Sequence, residues 1–251
     1  MFLSTLVVAS AMKTTTIISE SWEKTLVVGH RGAAAYAPEN SLAAFEKGIE
    51  SGAAALECDV WMSKDGVPMV MHDSKLDRTT KLKGEVASLK AEEMRAAGIP
   101  SLDDLIKAVK GRANLIVEIK GGQGVSEAVV DALKHHEIVD QSIVFSFNAS
   151  FVTRVKTLNP DQYTVWLSAR PYDPGDTSLL IKQVRDLRAD AVGFQFKNVH
   201  DKMAHALRNE KVPLFVWTVP PGEEVDRLKG LRVNFIISDH PKDIIEQLNK
   251  S

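Results

Sequence analysis

Cysteine is almost absent from this chain of 251 residues, and the one present, Cys58, excludes both an intrachain disulfide and a zinc site built on several cysteines. The sequence also lacks an excess of either positive or negative charge. The sequence has 31 Lys and Arg against 33 Asp and Glu, a formal net charge of −2, and no long run of either sign. A basic surface for nucleic acid is therefore not indicated, and we expect no nucleic-acid partner.

Long hydrophobic runs are missing as well. The apolar N-terminal stretch over residues 1–11 is shorter than the roughly 20 residues that cross a bilayer, so we expect no transmembrane segment. It ends in Ala9-Ser10-Ala11, a pattern typical of signal cleavage sites, but no Lys or Arg precedes it. We interpret residues 1–24 as an extension, with Met12 as an alternative start. We expect a cytoplasmic protein, or a secreted or periplasmic one if residues 1–11 act as a signal.

Several enzyme motifs are absent too. No G-x-x-x-x-G-K-[ST] run is present, which excludes a P-loop nucleotide hydrolase. The G-x-S-x-G motif of α/β-hydrolases is also absent. The glycines at 121, 122 and 124 do not fit the dinucleotide-binding fingerprint. With 44% hydrophobic and 25% charged residues, the composition is that of an ordinary globular protein.

What is present is a regular alternation of short β-branched apolar runs with longer amphipathic segments, which indicates parallel βαβ units. The predicted strands cover residues 25–30, 54–60, 114–120, 142–147, 163–168, 191–196, 213–219 and 234–239. Eight strands, each followed by a helix, predict an α/β fold: a single (β/α)8 TIM barrel over residues 25–251. A doubly wound open sheet is the structural alternative.

One of these units is irregular. Between residues 60 and 100, an extra apolar run at 67–73 and a polar stretch at 77–86 precede the next helix, and we interpret them as a short β-hairpin excursion after strand 2. Helix starts are predicted at Asn40-Ser41, at Ser101 with Asp104, and at Ser126. No linker long enough to separate a second domain is found.

Carboxylates gather at the predicted ends of strands 2 and 3, where TIM barrels place their catalytic groups. Glu57 and Asp59 are two residues apart, so both point to one side of the strand while Cys58 points towards the helices. Glu118 and Lys120 repeat this spacing on the next strand, so both project inward with them. Three converging carboxylates repel one another unless a cation binds. Oxygen ligands favour one divalent cation, Ca²⁺ or Mg²⁺, with Mn²⁺ as a further candidate and Zn²⁺ disfavoured.

Basic groups accompany these carboxylates. His30 ends strand 1 and His72 ends the excursion, and two histidines beside an acidic cluster suit a general acid and a general base. Lys120, beside the cation site, and Arg31 suit a clamp on phosphate oxygens. The alternative is that both histidines are structural and that Lys120 only pairs with Glu118.

Residues 29–80 resemble the signature of the glycerophosphodiester phosphodiesterase family, in the phospholipase C-like phosphodiesterase superfamily. The shared motifs are HRG (30–32), PEN (38–40), ECD (57–59), HD (72–73) and RTT (78–80), and the likeness continues through 99–106, 117–120 and 236–241. The resemblance implies a TIM barrel and the hydrolysis of a glycerophosphodiester to sn-glycerol 3-phosphate and an alcohol, in glycerophospholipid degradation. It also implies a small-molecule substrate.

The resemblance also implies a role for each site residue. The metal ligands would be Glu57, Asp59 and Glu118. The acid–base pair would be His30 and His72, and the phosphate would be held by Arg31 and Lys120. Glu39 would be a polar support, and Trp217 a wall for the glycerol. The excursion is shorter than in most family members, so we expect only a small lid over the substrate.

Three other functions remain open from the residues. A lysophospholipase D type phosphodiesterase would need apolar walls for an acyl chain, which a short excursion leaves room for. A non-catalytic barrel could bind phosphorylated polyols. A Schiff-base aldolase could use Lys120, since a lysine at the end of a barrel strand can serve that way.

Overall fold

A computed structural model describes residues 13–173 and 176–250 of the chain. Nine strands form one sheet, and eight of them are parallel and close into a barrel. The strands are β1 (Leu26–Gly29), β2 (Ala55–Met62), β3 (Pro68–Val70), β4 (Asn114–Gly121), β5 (Ser142–Ser146), β6 (Tyr163–Ser168), β7 (Ala191–Gln195), β8 (Leu214–Trp217) and β9 (Phe235–Ser238). All eight predicted barrel strands are confirmed.

Helices follow the barrel strands and surround the sheet. They are α1 (Thr14–Glu20), α2 (Leu42–Glu50), α3 (Ala91–Ala96), α4 (Leu102–Val109), α5 (Val125–His135), α6 (Ala149–Leu158), α7 (Thr177–Asp186), α8 (Asp201–Asn209), α9 (Glu223–Gly230) and α10 (Pro241–Lys250). The ranges described contain no helix with the length and apolar character needed to cross a membrane.

The barrel closes because β1 pairs with both β2 and β9. An open doubly wound sheet would leave its first or last strand at an edge, so this alternative is wrong and the TIM barrel is confirmed. Strand alternation then separates two apolar layers. Inward residues such as Val28, Ile116 and Phe235 fill the barrel, while Cys58 packs outward among helix residues, as its position in β2 predicts.

Helix α1 covers the amino-terminal end of the barrel, which the sequence pattern did not indicate. Its Ile17 packs against the inward-facing residues, and Thr14 Oγ1 donates a hydrogen bond to the Ser142 carbonyl at 3.1 Å. Just beyond the helix, the Ser21 carbonyl accepts one from Asn234 Nδ2 at 3.2 Å. The predicted cleavage pattern at residues 9–11 lies outside the described residues.

The irregular unit is the predicted hairpin excursion. Strand β3 pairs antiparallel with the end of β2, and the chain then continues through a loop to α3. A small apolar cluster of its own, which includes Met69, Leu76 and Met94, lies beneath the excursion. The excursion is therefore a packed structure rather than a free loop.

Two of the three predicted helix starts are confirmed. Ser41 caps α2 by accepting a hydrogen bond from the Ala44 amide, and Ser101 forms a capping box with Asp104. The prediction for Ser126 is wrong. Helix α5 starts one residue earlier, after Gly124, whose φ of 73° supplies the turn that leads into it.

Candidate active site

The polar residues of the site continue the inward-facing rows of the barrel strands. Glu57 and Asp59 follow inward Ala55 on β2, and Glu118 follows inward Ile116 on β4. Because β2 and β4 are neighbours with Asp59 opposite Glu118, the three carboxylates meet at the carboxyl end of the barrel. The strand period therefore places them together, as the sequence predicted.

The three carboxylates form a buried cluster, in which one oxygen of each lies within 4.8 Å of the others. Burial, reinforced by Asp59 and Glu118, raises the pKa of Glu57 well above its ordinary value. Burial and Asp59 likewise raise the pKa of Glu118 to about 7, against the opposite effect of Lys120. Burial and mutual repulsion therefore oppose full ionisation of the three carboxylates.

Asp59 is the carboxylate that remains ionised. Burial alone would raise its pKa, but Lys120, followed by His72 and Arg31, outweighs burial and lowers it. Asn40 Nδ2 also donates a hydrogen bond to Asp59 Oδ2 at 2.8 Å. Asn40, which was predicted to start α2, therefore holds a site carboxylate instead, and Ser41 alone caps the helix.

Lys120 lies over the cluster, at an irregular position of β4. Val60 pairs with Ile119 and Trp61 with Gly121, so Lys120 is the extra residue of a bulge. Its Nζ lies 2.8 Å from Glu118 Oε1 and 3.3 Å from Asp59 Oδ1. A Cβ on Gly121 would lie 2.6 Å from the Trp61 ring, so glycine is needed beside the bulge.

The turn after β1 brings His30 and Arg31 to the cluster. Arg31 adopts a φ of 49°, and its amide donates a hydrogen bond to Glu57 Oε2 at 2.9 Å. Gly32 follows with a φ of 87°, and a Cβ there would lie 2.6 Å from the backbone of α2 at Ala44. His30 Nδ1 lies 2.6 Å from Asp239 Oδ1, which leaves Nε2 facing Glu57 at 4.0 Å.

His72 is held in the same manner. Its Nδ1 lies 2.7 Å from Asp73 Oδ1, and Trp61 Nε1 donates a hydrogen bond to its backbone carbonyl at 2.9 Å. Burial lowers the pKa of the imidazole, so its ring is neutral at pH 7. In both histidines a carboxylate fixes the proton on Nδ1 and leaves Nε2 for chemistry.

Glu39 lies behind Arg31 rather than in the pocket. Its Oε1 accepts hydrogen bonds from Arg31 Nη1 at 2.8 Å and from Arg78 Nη2 at 2.7 Å. Burial opposes ionisation of Glu39, but Arg78 and Arg31 outweigh it and lower the pKa of this carboxyl. Glu39 is thus a charged support for Arg31.

The remaining side of the pocket is apolar. Its walls come from Phe145, Phe147, Leu167, Trp217, Thr218 and Ile237, and the cavity volume is about 160 Å³. Phe147 meets Trp217 edge to face at 5.3 Å between ring centroids, and Lys120 Nζ lies 5.9 Å from the Phe147 ring. Trp217 Nε1 is buried and has no hydrogen-bond partner among the described residues.

A larger cavity of about 650 Å³ lies nearby, between residues 38–41 and the excursion. It shares Glu39 and Asn40 with the site, but these side chains bind Arg31 and Asp59. The smaller pocket contains both histidines and the cluster's Glu57 and Glu118, and it is therefore the candidate active site.

The structure brings the nine predicted site residues into one region, with Asp59 buried beneath the pocket and Glu39 behind Arg31. Sequence reasoning missed four residues that hold the predicted ones in place: Asn40, Asp73, Arg78 and Asp239. Asn40, Asp73 and Arg78 belong to the recognised PEN, HD and RTT motifs, and Asp239 directly follows the last strand. The rule that functional groups lie at strand ends could have identified Asp239.

The donor set of the cluster fits a hard divalent cation. Glu57 Oε1 is buried and has no hydrogen-bond partner among the described residues, and Asp59 Oδ1 has only the ion pair with Lys120. Unpartnered buried carboxylate oxygens are costly unless a cation binds them. Oxygen atoms from three carboxylates are ligands for Ca²⁺, Mg²⁺ or Mn²⁺ rather than for a soft metal.

Comparison with known proteins gives a consistent result. The model of the glycerophosphoryl diester phosphodiesterase family matches residues 30–243. A glycerophosphodiester phosphodiesterase of Caldanaerobacter subterraneus is 31% identical over 90% of this chain and 99% of its own length.

Solved structures agree in fold. One is the glycerophosphodiester phosphodiesterase of Agrobacterium tumefaciens, with 25% identity and a TM-score of 0.77 over 88% of this chain and 99% of its own. Another is an Oleispira antarctica phosphodiesterase in complex with the product sn-glycerol-3-phosphate. It has 22% identity and a TM-score of 0.82, over 92% of this chain and 99% of its own.

Proposed function

This chain belongs to the glycerophosphoryl diester phosphodiesterase family, and on this basis we propose that it hydrolyses glycerophosphodiesters to sn-glycerol 3-phosphate and an alcohol. One observation supports the proposal most directly. Two histidines, each fixed at Nδ1 by an aspartate, share a small pocket with a cluster of carboxylates and two cationic side chains. Acid–base groups and anion-binding groups in one pocket are what cleavage of a phosphodiester requires.

Arg31 and Lys120 bind the phosphate. Arg31 lines the pocket, and its Nε lies 3.5 Å from Asp59 Oδ2. Burial opposes the charge on Lys120, but Asp59 and Glu118 outweigh burial and raise its pKa. Lys120 is therefore a charged donor at neutral pH, and both side chains neutralise the negative charge that grows on the phosphate oxygens.

His30 and His72 share the acid and base steps. One Nε2 takes the proton from the nucleophile, which is water or the neighbouring glycerol hydroxyl, and the other donates a proton to the leaving alcohol. Attack by the glycerol hydroxyl gives a cyclic phosphate, which water then opens to sn-glycerol 3-phosphate. Asp239 and Asp73 hold the rings so that both Nε2 atoms are available.

Glu57, Asp59 and Glu118 would hold one divalent cation. When bound, the cation would neutralise charge on the phosphate and compensate the negative charge of the three carboxylates. Without a cation, burial raises the pKa of Glu57 and raises that of Glu118 to about 7, which keeps Glu118 partly protonated at neutral pH. This arrangement supports a metal-dependent reaction.

The pocket favours a small polar substrate over the alternatives. Its volume of about 160 Å³ is below the range of sites for drug-sized ligands, so it suits glycerol phosphate, whereas an acyl chain would have to lie outside. The raised pKa of Lys120 disfavours an aldolase, because a Schiff-base lysine must lose its proton to attack a carbonyl. A non-catalytic barrel would not require two histidines oriented in this way.

The test is release of sn-glycerol 3-phosphate from glycerophosphocholine after treatment with EDTA and separate addition of Ca²⁺, Mg²⁺ or Mn²⁺. We expect release to stop with EDTA and to return with at least one cation. Parallel assays with lysophosphatidylcholine test the lysophospholipase alternative, which would be supported if that substrate is cleaved faster.

Two variants test the acid–base role of the histidines. His30→Ala and His72→Ala should each lower turnover by at least about 100-fold while the far-UV circular dichroism is unchanged. His205→Ala, on the outer helix α8, is the matched control and should retain full turnover. A near-normal rate in either pocket variant would remove that histidine from the reaction.

A further inference from the structure

Arg78 lies on the excursion, yet its guanidinium joins two carboxylates that hold site residues. Nε donates a hydrogen bond to Asp73 Oδ2 at 2.6 Å, and Nη2 donates to Asp73 Oδ1 at 3.2 Å. On its other side, Nη1 donates to Glu39 Oε2 at 2.9 Å and Nη2 to Glu39 Oε1 at 2.7 Å. One planar group therefore fixes the positions of two carboxylates.

Each of these two carboxylates also binds a different residue of the site. Asp73 Oδ1, which accepts from Arg78, also binds Nδ1 of His72 at 2.7 Å. Glu39 Oε1, which accepts from Arg78, also accepts from Arg31 Nη1 at 2.8 Å. The acid–base side chain and the phosphate-binding side chain are thus connected through a single guanidinium outside the pocket.

We propose that Arg78 is a positioning residue that sets the orientation of His72 and of Arg31 at the same time, through Asp73 and Glu39. Its effect on catalysis rests on the proposed function. Support comes from the ionisation of the two carboxylates. Arg78 and then His72 lower the pKa of Asp73, and Arg78 and Arg31 lower that of Glu39 against the effect of burial.

The geometry requires arginine. A lysine would present one compact ammonium, whereas the guanidinium offers donors in a plane that can meet two carboxylates on opposite sides. The excursion holds Arg78 in place through Leu76, which is fully buried two residues before it and whose amide donates to the Gly84 carbonyl at 2.9 Å. The excursion therefore supports the catalytic residues from the side.

The experiment compares Arg78→Gln and Arg78→Lys with a control arginine. Arg112 suits this purpose because its side chain is 45% exposed against 48% for Arg78, and it makes a two-point contact with Glu46 on the outer surface. Rates with glycerophosphocholine, the dissociation constant of the activating cation and the melting temperature are measured for Arg78→Gln, Arg78→Lys, Arg78→Ala and Arg112→Gln.

We expect kcat/KM to fall by about 100-fold in Arg78→Gln. The loss of orientation should lower kcat at His72 and raise KM at Arg31. Cation affinity should stay within about twofold of wild type, because none of the hydrogen bonds of Arg78 involves the cluster carboxylates. Arg78→Lys should not restore the rate, whereas guanidinium ion added to Arg78→Ala should restore part of it. A wild-type rate in Arg78→Lys would overturn the proposal, as would equal rates in Arg78→Gln and Arg112→Gln.

A second measurement does not depend on the reaction. Nitrogen NMR of the imidazoles at about pH 8, where His72 is neutral, reports which ring nitrogen holds the proton. We expect Nδ1 in the wild type and a mixture of the two forms in Arg78→Gln. If the wild type does not hydrolyse glycerophosphocholine, the proposed function fails, and this mixture would still support the positioning role. An unchanged proton position in Arg78→Gln would overturn it.

Discussion

His30 Nδ1 lies 2.6 Å from Asp239 Oδ1, across the seam where the first and last strands of the barrel meet. Val28 pairs with Ile237 and Gly29 with Ser238, so the next residues of the two strands, His30 and Asp239, stand side by side. The carboxylate accepts from Nδ1 and leaves Nε2 facing the pocket. Closure of the barrel thus orients the ring of His30, which we propose as one of the acid–base pair.

The first prediction concerns this contact. Asp239→Asn should lower kcat by about 10- to 100-fold, because the amide can donate to Nδ1 and leave the imidazole proton on the wrong nitrogen. The dissociation constant of the cation should hardly change, since Asp239 is not one of the clustered carboxylates. Steady-state kinetics and calorimetric titration with the activating cation measure the two quantities.

Asp243→Asn is the matched control for this variant. Asp243 pairs with His240 at 3.2 Å on the exposed surface of α10, so it is also an aspartate beside a histidine. We expect its kcat to stay within about twofold of wild type. Equal losses in the two variants would show that the His30–Asp239 contact has no special role.

The second prediction concerns the carboxylate cluster. Glu57→Gln should abolish turnover and weaken cation binding by more than about 100-fold, because it removes a charged ligand rather than a supporting group. The metal-free variant should melt at the same temperature as metal-free wild type or higher, since the substitution relieves repulsion from Asp59 and Glu118.

Differential scanning calorimetry with and without the cation distinguishes these effects. We expect the cation to raise the melting temperature of the wild type and not that of Glu57→Gln. Glu46→Gln, on the surface of α2, is the control and should respond to the cation as the wild type does. Unaltered cation affinity in Glu57→Gln would remove Glu57 from the ligand set.

The third prediction is a pH dependence of cation binding. Because the pKa of Glu118 is raised to about 7 and that of Glu57 is also raised, protons compete with the cation below neutral pH. Affinity should therefore increase from about pH 5 to 8, by up to tenfold per pH unit for each proton released. Calorimetry in buffers of different ionisation enthalpy counts the protons, and a count of zero at pH 6 would contradict the prediction.

The same raised pKa values make the free energy of unfolding depend on pH. A carboxyl whose pKa is higher in the folded protein stabilises the fold below its unfolded value of about 4.3, and this contribution is lost as the pH rises through about 7 for Glu118. The metal-free protein should therefore lose this contribution between these pH values, and the bound cation should restore it. The stabilisation by the cation should be larger at pH 8 than at pH 5.

The fourth prediction tests the turn after β1. Gly32 and Gly52 both have positive φ, 87° and 75°, but a Cβ would clash with the Ala44 backbone only at Gly32. Gly52→Ala should lower the free energy of unfolding by about 1–2 kcal/mol from backbone strain alone. Gly32→Ala should lower it by a further 1–3 kcal/mol or so from overpacking, and should also reduce turnover. Urea denaturation measures both, and equal losses would contradict the close approach of the turn to α2.

Much of the fold could be predicted because each barrel strand is a short apolar run with its own boundaries. The strand period also placed Glu57 and Asp59 on one side and Cys58 on the other, which the structure confirms. Helix α1 was missed because its short segment, TTTIISE, has too little helical periodicity to indicate a helix. It forms because Ile17 packs on an apolar surface at the end of the barrel.

The sequence by itself determined the eight strand–helix units, the direction of each strand's side chains and the residue types of the site, because these depend on local pattern and spacing. Only the tertiary structure decided between a closed barrel and an open sheet, and which contacts hold the site residues in place. Barrel closure joined His30 to Asp239, and the excursion brought Arg78 to Glu39. These contacts connect residues from different strands and loops, and the packing of the whole chain sets their distances.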